Sequence, residues 1–128
     1  MKRLIIDIDD TISFTKKGDY SNATPSVEVI NVIRKYKSIG FEIVFSTARN
    51  MRTYNGNTGK INANTLPIII EWLNKHEIPY DEIYTGKPWC GFEGFYIDDK
   101  AVRPREFVEK TYEEIKELLE KDKLEPNL

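Results

Sequence analysis

Short apolar runs alternate with segments of helical apolar spacing along the chain. Residues 3–8 form an isoleucine-rich run bounded by charges, and this pattern predicts a strand that is buried on both faces. Thr24 and Pro25 then match an N-cap and a first helical position. The apolar residues that follow at spacings of three predict an amphipathic helix over roughly 25–39. Residues 41–45 are apolar apart from one glutamate, which predicts a second strand.

The rest of the sequence continues this alternation of strand and helix. The further predicted elements are, in chain order, a polar loop over 50–63, a helix from Thr65 and Pro67 to near His76, a strand at about 82–85, a loop over 86–91, a strand over 94–97, and a C-terminal helix opened by a capping box of Thr111 and Glu114. Such alternation favours the α/β class, with a mainly parallel sheet and helices on both faces. Ligand sites in such folds lie beyond the carboxyl ends of the strands, so the residues that follow each strand carry the candidate chemistry.

Length and composition limit the classes of protein to which this chain can belong. With 40% hydrophobic and 31% charged residues, residues 1–128 are expected to form a single globular domain. The net charge of −2 lacks the basic excess expected of a protein that binds nucleic acid or a lipid surface. The lone Cys90 excludes an internal disulfide, and the first apolar run is too short for a signal peptide or a membrane span. A soluble, cytoplasmic protein is therefore expected.

Acidic, basic and hydroxyl side chains gather at the ends of the predicted strands. Up to five carboxylates converging at one sheet edge would repel each other, and a divalent cation with oxygen ligands would relieve this repulsion. Mg²⁺ fits because it needs only one or two carboxylates beside water and phosphate oxygens. A lysine, an arginine and a hydroxyl supply contacts for phosphate. The four clusters are Asp7 with Asp9 and Asp10, Ser46 with Thr47 and Arg49, Lys87, and Asp98 with Asp99.

A free carboxylate beside a metal and a phosphate indicates covalent catalysis. Asp7 is the predicted nucleophile, which would form an aspartyl-phosphate. Asp9, two residues later, would protonate the leaving oxygen and afterwards activate water.

Each of the other clusters also has a purely structural interpretation. Thr47 can cap the turn after its strand, and Lys87 can be a surface lysine. Asp98 and Asp99 can cap a following turn. For Arg49, binding of an anionic substrate group and a surface ion pair are equally favoured interpretations. The presence of all the clusters together favours catalysis.

The clusters, in this order, resemble the motifs of the haloacid dehalogenase (HAD) superfamily of phosphatases. The match covers about residues 3–103. The resemblance implies a three-layer Rossmann-like HAD core and Mg²⁺-dependent phosphomonoester hydrolysis. The implied roles are Asp7 as nucleophile and metal ligand, Asp9 as general acid/base and, through its backbone carbonyl, metal ligand, Thr47 or its neighbour Ser46 as the phosphate-binding hydroxyl, Lys87 as the residue that orients nucleophile and phosphate, Asp98 as metal ligand, and Asp99 as a second acid whose role varies between members.

Three shorter stretches, 46–54, 59–62 and 86–91, are similar to the small capsule-biosynthesis phosphatases. This similarity implies that the substrate is a sugar phosphate or a related small metabolite of surface-polysaccharide biosynthesis.

The segments that could hold a cap domain are short. Residues 12–40 and 50–86 must each supply part of the core, and a stable separate domain needs about 40 residues or more. We therefore expect no cap, and an open site that admits a bulky substrate or is covered by a second copy in a homo-oligomer. The loop 52–60 is the candidate segment for recognition or subunit contact.

Two other classes of function use similar residues. A receiver-type phosphoacceptor module carries its phosphorylated aspartate after a middle strand, where this chain has Ser46 and Thr47. An inactive HAD-fold binding or scaffold protein would be expected to lose at least one of these residues, whereas Asp7, Asp9, Lys87 and Asp98 are all present. A phosphotransferase that passes phosphate to an alcohol would use the same residues as a phosphatase.

Overall fold

The chain folds into short strands and helices that alternate along much of its length. The computed structural model describes residues 1–126, and the chain forms two compact units, the first over Met1–Trp89 and the second from Cys90 onward. The prediction of a single domain over 1–128 stays a prediction. In chain order the elements are β1 (Arg3–Ile6), β2 (Ser13–Phe14), a 3₁₀ turn (Tyr20–Asn22), β3 (Thr24–Pro25), α1 (Val27–Ser38), β4 (Glu42–Ser46), α2 (Thr58–Asn64), α3 (Leu66–Lys75), β5 (Glu82–Tyr84), α4 (Pro104–Glu109) and α5 (Tyr112–Lys121).

A three-stranded parallel sheet in the order β1-β4-β5 organises the first unit. Ile43 and Phe45 of β4 are fully buried on one face of this sheet, and α1 packs against β4. The prediction that residues 3–8 form a strand buried on both faces is wrong. The strand β1 ends at Ile6 and pairs only with β4 among the described strands, and Ile5 is 68% exposed.

Helix α1 begins later than the sequence pattern predicts. Its N-cap is Ser26, because Thr24 and Pro25 are extended and pair with β2 as the short antiparallel strand β3. Gly40, at a φ of +100°, follows the C-cap and lets the chain turn into β4. Of the apolar residues at spacings of three, the helix buries Ile30, Ile33 and Tyr36 together with the neighbouring Val29, whereas Val27 in its first turn is 63% exposed.

The segment predicted as a loop over 50–63 contains helix α2. The Asn57 side chain accepts a hydrogen bond from the Lys60 amide, 3.1 Å away, and so caps the first turn. Only Ile61 is buried in this short helix, so the sequence carries no apolar period that could reveal it.

Helix α3 confirms the helix predicted to end near His76, which is its C-cap residue. It buries Ile69, Trp72 and Leu73. The Trp72 indole N–H donates to the carbonyl of Ala23, 2.9 Å away in the interior. This bond ties α3 to the chain just before α1.

The second unit contains α4 and α5. The predicted capping box is confirmed, since Thr111 and Glu114 exchange side-chain to backbone hydrogen bonds at the start of α5. The predicted strand over 94–97 is wrong. An apolar run becomes a strand only where a neighbour completes its backbone hydrogen bonds, and within residues 1–126 no such ladder forms there, so that Phe95 and Ile97 are 77% and 88% exposed.

The α/β class and a small, mainly parallel sheet with helices are thus confirmed. Within the described residues, no separately folded cap interrupts the chain between β1 and β4 or between β4 and β5. No helix within residues 1–126 combines the length and apolar character needed to cross a bilayer.

Asp81, just before β5, contacts both β4 and α1 through its carboxylate. Its carboxylate accepts the Ile43 amide at 2.8 Å and the Lys37 ammonium at 2.9 Å. These contacts hold the pKa of Asp81 below its ordinary value of 3.8, and the hydrogen bond from the Ile43 amide has the largest effect. The stabilisation is therefore present above pH 3.8 and lost as the pH falls through the lower pKa of the folded state.

We predict that Asp81→Asn lowers the free energy of unfolding at neutral pH and that this loss shrinks in acid. Urea unfolding of both proteins would show a constant difference above about pH 5, narrowing as Asp81 of the folded wild type becomes protonated. A difference in unfolding free energy that stays unchanged down to about pH 2 would show that the ionised Asp81 carboxylate is not the source of the stabilisation.

Candidate active site

A tight turn after β1 presents the first pair of acids. The carbonyl of Ile8 accepts backbone N–H groups from all three of residues 11–13, at 2.9 to 3.3 Å. Asp10 adopts a φ of +63°, which aspartate tolerates better than most residues, and its side chain is exposed. Asp7 and Asp9 on either side of Ile8 are half-buried. The hydrogen bonds of this turn therefore fix the backbone that carries the Asp7 and Asp9 carboxylates.

Asp7 and Lys87 meet at the carboxyl ends of their strands. The Lys87 ammonium lies 3.5 Å from one Asp7 carboxylate oxygen, and the Thr11 hydroxyl donates to the other at 3.2 Å. The Asp7 side chain is 37% exposed and that of Lys87 is 24% exposed. The carboxylate is thus oriented and still open to a ligand.

Hydrogen bonds beyond the sheet join Thr47 to the segment that carries Lys87. The Thr47 amide donates to the Tyr84 carbonyl at 2.9 Å, and the Lys87 amide donates to the Thr47 carbonyl at 3.1 Å. The Thr47 hydroxyl oxygen accepts the Arg49 amide at 3.1 Å, which is the turn-capping arrangement. A hydroxyl that accepts one bond can still donate its proton, so this role is compatible with binding a phosphoryl oxygen. Ser46, the last residue of β4, is half-buried, whereas Thr47 is almost fully buried.

Arg49 forms a partly buried ion pair with Asp9, whose side chain is 33% exposed. Its Nη2 and Nε groups donate to the two Asp9 oxygens at 2.9 and 3.1 Å, and its side chain is only 3% exposed. The Tyr20 ring centroid lies 4.1 Å from the guanidinium carbon. The third terminal group, Nη1, is buried with no hydrogen-bond partner. Arg49 does form an ion pair, but its guanidinium is buried rather than at the surface.

The sequence interpretation missed Tyr20 and the pairing of Arg49 with Asp9. No motif marks Tyr20, since its contact joins residues far apart in sequence. The sequence signal for the ion pair is that the acidic Asp9 comes two residues after Asp7 and the basic Arg49 comes two residues after Thr47.

Helix α2 packs against residues 85 and 86, just before Lys87. The Thr85 hydroxyl donates to the side-chain oxygen of Asn62 in α2. Gly86 has a φ of +79°, and a Cβ at this position would lie 2.8 Å from the Cγ2 of Thr58. Glycine is therefore required both by the backbone conformation and by the close approach of α2.

Asp98 and Asp99 lie in the second unit, where they follow the exposed segment 95–97. An Asp98 oxygen accepts the Lys100 amide at 2.9 Å, and this bond is the main reason that the pKa of Asp98 lies below its ordinary value. This geometry matches the turn-capping interpretation. The metal-binding roles of Asp98 and Asp99 stay predictions.

Comparison with solved structures identifies a protein of closely similar sequence and fold. An MCSG target from Vibrio cholerae, known from its crystal structure, is 61% identical, with a TM-score of 0.94 over 96% of this chain and 100% of that chain. The chain belongs to the same family as this Vibrio cholerae protein. No family model and no curated protein sequence matches it.

A more distant likeness concerns the fold alone. A chain of the Pnkp1/Rnl/Hen1 complex is 16% identical, with a TM-score of 0.50. The match covers 94% of this chain and 34% of that longer one.

Gly86→Ala should lower stability for two separable reasons. The positive φ costs an alanine about 1–2 kcal/mol, and the contact with the stiff Thr58 side chain adds about 1 kcal/mol more. Urea unfolding measures the total loss in free energy.

Gly18→Ala is the matched control, because Gly18 has a φ of +74° with nothing within 4 Å of the added methyl. It should show the conformational loss alone. Thr58→Ser in the Gly86→Ala background removes Cγ2 and should recover the additional loss. Equal losses for the two alanine variants would show that α2 does not restrict position 86.

Proposed function

We propose that this protein is a Mg²⁺-dependent phosphohydrolase of HAD type that works through an aspartyl-phosphate at Asp7. The observation that carries the proposal is the Asp7 carboxylate, held 3.5 Å from the Lys87 ammonium and next to the Thr11 hydroxyl at the end of a parallel sheet. The proposal includes a three-layer Rossmann-like HAD core as the fold of the protein.

The residues around Asp7 can perform both halves of the reaction. Asp9 must be protonated before the attack. An Asp7 oxygen attacks the phosphorus of a phosphomonoester, and the bond to the leaving oxygen breaks while Asp9 gives its proton to that oxygen. Water then attacks the phosphorus of the aspartyl-phosphate, and Asp9 takes the proton from the water. Phosphate leaves, and both aspartates return to their starting forms.

Lys87 and Thr47 act on the phosphoryl group rather than on protons. The Lys87 ammonium offsets charge on the phosphoryl oxygens as they approach the anionic Asp7. The Thr47 hydroxyl supplies a donor, and Thr47 is favoured over Ser46 because its carbonyl is bonded directly to the Lys87 amide. The binding of an anionic substrate group by Arg49 rests on the sequence interpretation, because its unpartnered Nη1 is buried.

The chemistry of the donor set fits Mg²⁺. The half-exposed Asp7 carboxylate is a hard oxygen ligand, and Mg²⁺ usually binds through one or two carboxylates, with waters and phosphate completing its shell. Within residues 1–126 no three acidic, histidine or cysteine side chains converge. The proposed ligands are Asp7 and, on the resemblance alone, the Asp9 carbonyl and Asp98. When bound, Mg²⁺ would offset charge on the phosphoryl oxygens.

The proposed substrate is a small phosphorylated metabolite. Similarity to the capsule-biosynthesis phosphatases favours a sugar phosphate. The loop 52–60, whose last residues form the first turn of α2, remains the candidate for recognition or for contact in a homo-oligomer.

Asp7→Asn should abolish phosphate release. The protein is assayed on sugar phosphates, nucleotides and polyol phosphates with Mg²⁺ and with EDTA, and the substitution should lower the rate on the best substrate by at least about a thousandfold, since the amide is a poor nucleophile. EDTA should remove the wild-type activity.

Asp10→Asn is the matched control. It makes the same change three residues away, at an exposed position whose positive φ suits asparagine, and should leave the rate near that of the wild type. Full activity of Asp7→Asn would overturn the mechanism. A folded wild-type protein that is inactive on the whole panel would favour the scaffold function instead.

A further inference from the structure

Tyr20 lies in the 3₁₀ turn between β2 and β3, with its ring centroid 4.1 Å from the guanidinium carbon of Arg49. We propose that Tyr20 is a positioning residue, whose ring holds the Arg49 guanidinium where it orients the Asp9 carboxylate. The catalytic consequence rests on the proposed function, whereas the positioning itself does not.

The burial of Arg49 creates the need for such a support. A buried cation is costly unless its surroundings compensate it. Asp9 receives two N–H groups of the guanidinium at 2.9 and 3.1 Å, but Nη1 has no partner although it is buried. An aromatic face attracts a cation and is the contact that Tyr20 supplies.

The geometry of the pair shows what the ring controls. A bidentate arginine–carboxylate pair depends on the orientation of a planar guanidinium. A ring whose face lies 4.1 Å from the guanidinium carbon restricts the movement of that group. The Tyr20 ring therefore restricts the direction in which Arg49 holds Asp9.

The backbone around Tyr20 is itself well fixed. The Ala23 amide donates to the Tyr20 carbonyl at 3.2 Å, and the Ala23 carbonyl accepts the Trp72 indole N–H at 2.9 Å. Ala23 is 5% exposed, and the two-stranded pairing of β2 with β3 closes the segment on both sides. Tyr20 is thus presented from the scaffold formed with α3.

The test compares Tyr20→Leu and Tyr20→Met with Tyr20→Phe. The first readout is the ¹⁵N–¹H resonance of the Arg49 Nε group, assigned by its loss in Arg49→Lys. The second is kcat on the best substrate. Leucine and methionine fill space without a ring, so both variants should broaden or shift the Arg49 resonance and lower kcat about tenfold. Phenylalanine keeps the ring face and should recover both properties.

Two comparisons separate positioning from a general structural effect. In the Arg49→Lys background, Tyr20→Leu should lower kcat no further, because the group through which it acts is gone. Tyr112→Leu is the matched control, since its ring lies 4.6 Å from the Lys116 ammonium on α5, and it should change neither readout.

The outcomes distinguish this inference from the proposed function. Unchanged Arg49 resonance and kcat in a folded Tyr20→Leu or Tyr20→Met variant would overturn the inference while the phosphatase function stands. A wild-type protein without phosphatase activity would overturn the function, and the Arg49 resonance would still decide whether Tyr20 holds the guanidinium.

Discussion

The burial of the Arg49 guanidinium imposes the strictest demand on the first unit. A charge that is 3% exposed requires compensation, and Asp9 provides it through two hydrogen bonds while Tyr20 covers the group with its ring. The pair spans the turn after β1 and the turn after β4, and Tyr20 brings in the segment between β2 and β3. One buried charge thereby fixes three separate stretches of backbone in relation to each other. Removing Asp9 would leave the buried guanidinium without its compensating charge.

Parallel strand pairing explains why the other polar residues meet. β1, β4 and β5 run in the same direction, so the residues that follow them collect at one edge of the sheet. The ladder continues past the strands through the bonds from Thr47 to Tyr84 and from Lys87 to Thr47. Lys87 reaches Asp7 because Gly86 permits the left-handed turn close to α2. The position of each side chain thus follows from backbone geometry as much as from its own contacts.

The sequence predicts the parts that depend on local pattern and strand direction. The helices that contain Ile33 and Trp72 follow from apolar spacing, and the meeting of Asp7 with Lys87 follows from the order of parallel strands. The same reasoning fails where a partner decides the outcome. Residues 94–97 have the composition of a strand but form none within the described chain, and α2 has too few buried residues to show a period. Tyr20 could not be identified, because its role comes from a tertiary contact with Arg49 that no spacing encodes.

The central claim is that Asp7 carries the phosphoryl group during turnover. The most direct measurement is rapid acid quenching of the wild-type protein during hydrolysis of its best substrate, followed by mass spectrometry of the peptides. We expect a phosphate on Asp7 that hydroxylamine removes, as it does from acyl phosphates. Sustained phosphate release with no modification of Asp7 at any quench time, or with the phosphate on another residue, would contradict the account.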